Sequence, residues 1–137
     1  MSHWQSGKLQ LKCSMAVLKR ALVNIIPEWE NHIQEDINGN LSLQDRAWGE
    51  KDITGFNLII KIDRKDVGFK QDKDGSWIAT YDSYILPRKL KSNLEGELLQ
   101  EISAMRAKAI AQSKGFQLIK DDNVGNERII EMLAPIS

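Results

Sequence analysis

Phe56-Asn57-Leu58-Ile59-Ile60-Lys61-Ile62 decides the fold. Phe56, Leu58, Ile60 and Ile62 alternate with Asn57, Ile59 and Lys61, the period of a strand with one buried face. The pattern resumes in Val67-Gly68-Phe69-Lys70 after Asp63-Arg64-Lys65-Asp66. It resumes again in Ser76-Trp77-Ile78-Ala79-Thr80-Tyr81 after Asp72-Lys73-Asp74-Gly75, a turn whose glycine can take positive φ. The reading is a three-stranded meander, and its apolar face needs a cover.

Two amphipathic helices supply the cover, one on each side of the meander in sequence. Trp4 to Cys13 alternates as a first strand with a solvated face. Ser14 then caps a helix through Ile25, whose Met15, Leu18, Leu22 and Ile25 recur at helical steps. Pro27 ends it, and Trp29 is expected to seal its end. Asn38-Gly39-Asn40 reads as a turn, Leu41 and Leu43 as a short strand, and Asp45 to Lys51 as an exposed loop carrying Trp48. After the meander, Ser92-Asn93-Leu94-Glu95 has the form of a capping box for a helix to about Lys114. Leu94, Leu98, Leu99, Ile102, Met105, Ala109 and Ile110 share one arc of that helix, with Glu97, Glu101 and Lys108 opposite. Gly115 closes it, and Phe116 to Lys120 with Glu127 to Leu133 form a final hairpin. The expectation is a single α+β domain over residues 1–137: two layers, a mainly antiparallel sheet with two helices on one face, a ferredoxin-like relative.

Composition excludes several functions. Nineteen basic and nineteen acidic side chains in 137 residues balance, so the net field gives no general attraction to phosphate backbones or anionic membranes. The single cysteine, Cys13, cannot form an intramolecular disulfide, and Met1-Ser2-His3-Trp4-Gln5 lacks the basic-then-apolar pattern of a secretory signal. No apolar run approaches the roughly 20 residues that span a bilayer. A soluble protein of a reducing compartment, the cytoplasm, is expected.

In order along the chain, Met1-Ser2-His3-Trp4, Leu18-Lys19-Arg20-Ala21-Leu22 with Trp29, Val67-Gly68-Phe69, the strand from Trp77 to Tyr84, and Lys114-Gly115-Phe116-Gln117-Leu118 form a diffuse pattern. It covers nearly the whole chain and resembles an uncharacterised family, the hypothetical chloroplast reading frame thirty-five of cyanobacteria and red-algal plastids, a domain of unknown function. The stretch from Asn31 to Asp52 departs from that family, whose glycine-rich aromatic segment survives here only as Trp48-Gly49. The resemblance implies an intracellular α+β domain, in the cytoplasm or plastid stroma, with an AAA-type ATPase among its associates. It implies no catalytic residues.

Candidate chemistry is sparse. His3 and His32 fall in no repeated ligand spacing, so no metal site and no cofactor is signalled. Asp72-Lys73-Asp74-Gly75 resembles the start of a calcium loop, but no glutamate closes it, and turn chemistry explains it better. Cys13 stands at a strand-to-helix junction where amides can activate a thiol, although a structural thiol is the simpler reading. An enzyme using Cys13 is therefore the weakest class, for lack of a titratable pair at diagnostic spacing. Tyr81, Tyr84, Arg88, Lys89 and Lys91 place aromatics beside basic residues, the composition of small single-stranded RNA binders. Neutral charge argues against that reading. Trp48 with Ile59 and Ile78, the last two on the opposite parity from the core positions, could instead dock a protein partner or a second copy. A non-enzymatic protein-interaction module is the expected function.

Overall fold

Residues 4–43, 54–61, 66–82, 92–125 and 127–135 are described by the computed structural model. They carry helices and a mainly antiparallel sheet, an α+β fold. Their contacts group into two compact units, Met1–Leu99 and Gln100–Ser137.

In the first unit, β1 (Trp4–Lys12) leads into α1 (Met15–Ile25). Ser14 is extended and its hydroxyl accepts a bond from the Val17 amide, satisfying a donor that the first turn leaves open. The helix stops where Pro27 opens a 3-10 turn (Pro27–His32), and Trp29 is buried there as expected. β2 (Ile33–Glu35), not foreseen in the sequence, follows. A two-stranded ribbon of β3 (Leu41–Ser42) and β4 (Thr54–Phe56) comes next. The meander is β5 (Leu58–Ile60), β6 (Val67–Gln71) and β7 (Ser76–Asp82).

Five strands form the main sheet in the order β1-β7-β6-β5-β2, every neighbouring pair antiparallel. The two edge strands therefore run parallel, and α1 carries the chain from one edge to the other. A ferredoxin-like β-α-β-β-α-β chain has two strands between its helices. This chain places β2, a ribbon and a three-stranded meander there.

The register sorts the two faces, because residues directly opposite in a ladder point the same way. Leu58 lies opposite Phe69 and Phe69 opposite Ala79; Ile60 lies opposite Val67 and Val67 opposite Tyr81. This face is buried and carries α1. The Trp77 indole donates to the Cys13 carbonyl at 2.9 Å, and Lys19 of α1 pairs with Glu35, which is opposite Leu58, at 3.2 Å. Leu18, Ala21 and Leu22 of α1 are buried, as are Leu94 and Leu98.

Phe56 departs from its expected place. The chain kinks at Asn57, which separates β4 from β5, so Phe56 joins Ile59 and Leu43 in a cluster on the other face, with Leu41 packed against it. Asn57 holds the kink: its side-chain oxygen accepts from the Gln71 amide at 3.0 Å, and its Nδ2 donates to the Asp36 and Ile37 carbonyls at 3.3 Å. Ile59 is consequently fully buried, which overturns its expected exposure.

The second helix also differs from expectation at its start. Ser92 is itself helical (φ −61°, ψ −41°) and makes no side-chain capping bond, so the capping box does not form. A cap must be extended for its hydroxyl to reach the third amide. A π-turn (Asn93–Glu97) leads instead into α2 (Leu98–Ser113). No helix among the described residues is long and apolar enough to cross a membrane.

Candidate interaction surface

The end of α2 is set by a residue that can reverse its backbone. Gly115 has φ +87°, its amide donates to the Gln112 carbonyl, and Phe116 donates to Ala111. These two bonds make a Schellman close and turn the chain into a strand. β8 (Gln117–Val124) and β9 (Glu127–Leu133) then form the expected hairpin, reversed at Gly125 (φ +63°).

Four charges tie one side of the hairpin to the helix. Arg128 grips Asp121 through two parallel bonds, Nε to Oδ1 at 2.8 Å and Nη2 to Oδ2 at 2.7 Å, while its Nη1 donates to Glu101. Lys108 adds a 2.7 Å bond to Asp121 Oδ2. Glu101 and Lys108 are seven positions apart, two helical turns, and so share a helix face. That face was expected to meet solvent, yet Glu101 is buried and Lys108 largely so. The Arg128 guanidinium, and after it the Lys108 ammonium, hold the Asp121 carboxyl well below the usual carboxylate range. Asp121 in return raises Arg128. Two positive and two negative groups satisfy one another, an arrangement that positions the hairpin on the helix.

The hairpin's other side is unlike the first. Register places Lys120 opposite Glu131, Asp122 opposite Ile129, Val124 opposite Glu127 and Gln117 opposite Leu133 on this side, with Ile119 in a bulge between Leu118 and Lys120. Ile119 is 61% exposed, Val124 55% and Leu133 53%. Three carboxylates, Asp122, Glu127 and Glu131, stand among them against one ammonium, Lys120. Among the described residues, β8 and β9 pair only with each other. Ile110, expected in the helix core, is 59% exposed, and Leu99 is also open to solvent.

The residues singled out in the sequence lie elsewhere. Ile59 is sealed under Phe56 and Leu43. Ile78 is half-buried on the polar side of β7, in a row with Lys8 and Lys70, so the pair does not form an exposed apolar patch. Tyr81, 9% exposed, belongs to the helix-covered face and presents no open ring for base stacking. Trp48, Tyr84, Arg88, Lys89 and Lys91 lie outside the described residues, as does His3. Cys13 is half-buried between β1 and α1, where its carbonyl accepts from Trp77 and Gln71. Asp72 to Gly75 is a turn: Gly75 has φ +88° and donates to Asp72, and Asp74 accepts from the Ser76 amide and hydroxyl. Among the described residues, no three His, Cys, Asp or Glu side chains are grouped to hold a metal ion.

The hairpin surface was missed in the sequence, although a signal was there. Ile129 and Ile130 are adjacent, so a strand must turn one to each side. Comparison with protein-family models, curated proteins and solved structures finds no match to this chain.

Proposed function

We propose that this chain is a non-enzymatic protein-interaction module that takes up an extended segment of a partner as a third strand beside β9. The supporting observation is the outer side of the hairpin, where Ile119, Val124 and Leu133 are each more than half exposed beside a strand edge that is unpaired among the described residues. A two-stranded ribbon is marginal in water, and strand addition supplies both hydrogen bonds and burial. β9 is the receptive edge because the irregularity at Ile119 disrupts β8. Along β9 the outer side reads Glu127, Ile129, Glu131, Leu133, so the complementary segment alternates basic and apolar residues. The resemblance to the plastid reading-frame family enters this reading as a suggestion of partner class, an AAA-type ATPase.

Fluorescence anisotropy with a labelled nonapeptide of alternating lysine and valine tests the proposal. Saturable binding is expected, with a loss of at least tenfold for Leu133→Asp and none of that binding to the glutamate–valine counterpart. Equal affinity for both peptides would overturn the strand-addition reading. Self-association seen by light scattering would replace the foreign partner with a second copy, and salt-sensitive retention on single-stranded RNA would favour the nucleic-acid alternative.

A further inference from the structure

Asn38 is the one asparagine in the chain that a glycine follows. It is exposed in the turn between β2 and β3, with Gly39 at φ +71°. Glycine carries no Cβ, so its nitrogen meets the least hindrance in attacking the side chain of the residue before it. The turn nevertheless holds that nitrogen, because the Gly39 amide donates to the Asp36 carbonyl at 3.0 Å. The Asp36 carboxylate brackets it, accepting from the Asn38 amide at 3.0 Å and from the Asn40 amide at 3.1 Å. Asn57 fastens the turn to the sheet, its Nδ2 donating at 3.3 Å to the same Asp36 carbonyl and to that of Ile37. An amide gives up its proton less readily while that proton is bonded and a negative carboxylate stands close.

We infer that Asn38 is a self-modification site with water as its co-reactant, and that opening of the Asp36–Gly39 turn sets its rate. Turns of this kind open locally while the sheet stays folded. In the open turn the deprotonated Gly39 nitrogen attacks Asn38 Cγ. The new N–Cγ bond closes a five-membered succinimide, the bond from Cγ to Nδ2 breaks, and Nδ2 leaves as ammonia with a proton equivalent to the one Gly39 gave up. Water then cleaves the ring. Cleavage at Cγ gives aspartate, and cleavage at the main-chain carbonyl gives isoaspartate, whose main chain runs through Cβ and Cγ. Either product adds a carboxylate two positions from that of Asp36. Isoaspartate also lengthens the chain between Asp36 and Gly39, which takes the turn's closing bond out of register.

Incubation of the folded protein in mildly alkaline buffer, followed by peptide mass mapping, tests the inference. Asn38 should gain the mass that exchange of NH2 for OH brings and split into aspartate and isoaspartate forms. Conversion should run at least tenfold slower than in the same chain unfolded by urea. Asn57→Ala, which releases the turn from the sheet, should accelerate it at least threefold. Should Asn57→Ala fail to fold, Asp36→Ala decides: a threefold acceleration supports the turn as the gate, and an unchanged rate overturns it. A folded Asn57→Ala protein that converts at the wild-type rate overturns the gate, as does equal conversion of folded and unfolded wild type. No conversion in the folded protein once the unfolded chain is fully converted overturns the site.

Discussion

The ring of Phe56 stands where a side chain on Gly68 would be: a Cβ added to Gly68 would lie 2.6 Å from Phe56 Cδ1 and 2.9 Å from Cγ. Lys70 closes the other side of the ring, its ammonium 4.7 Å from the centroid and 3.3 Å from the Thr54 carbonyl. Phe56 is thus held between a bare backbone and a cation, and in that position it covers Ile59. The ribbon's seat on the sheet depends on the missing Cβ.

Gly68→Ala should therefore destabilise the first unit by about 1–3 kcal/mol, the range for overpacking a filled core. Urea denaturation measures it. An unchanged midpoint would mean that Phe56 does not sit on Gly68.

Ile59→Lys and Ile78→Lys should behave oppositely. Ile59 is fully buried, so a lysine there places an unpaired charge among Phe56 and Leu43, with an expected cost of about 4 kcal/mol or more. Ile78 is only half-buried and stands in register with Lys8 and Lys70, so its replacement should cost under about 1 kcal/mol. Similar melting temperatures for the two variants would contradict the assignment of faces.

Ser14→Ala should cost about 0.5–2 kcal/mol, the range for losing an N-cap that bonds an open amide. Ser92→Ala should cost less, because Ser92 makes no capping bond. Thermal melts of the two variants give the comparison, and a larger effect at Ser92 would refute it.

Acid should loosen the hairpin. The Asp121 carboxyl is held below its ordinary range, so the folded state binds fewer protons there than the unfolded state. The resulting stabilisation is complete above the ordinary aspartate value of about 4 and fades as pH falls through the lowered folded value. Asp121→Asn removes the negative charge and one of the two oxygens that accept three charge-assisted bonds, and should cost about 1–3 kcal/mol near neutrality. Hydrogen exchange of β8 and β9 amides at pH 6 and pH 3 measures both effects. Wild type should lose more protection on acidification than the variant, and equal losses would show that Asp121 does not carry the dependence.

Sequence by itself determined the elements whose causes are local. Ser14 followed by helical spacing makes α1, Gly75 and Gly115 make turns that need positive φ, and the alternation from Leu58 to Tyr81 makes the meander with its buried parity. Each depends on residues a few positions apart, so each could be read from the chain. Only the tertiary structure decided where Phe56 goes, because the kink at Asn57 is held by carbonyls of Asp36 and Ile37, about twenty positions away in sequence. The same is true of α2: a helical wheel ranks Ile110 as core and Glu101 as surface, yet Arg128 on β9 draws Glu101 inward while Ile110 is left exposed. Periodicity reports which side chains share a face. What lies opposite that face is set by contacts between distant segments, and the preferences of neighbouring residues do not encode it.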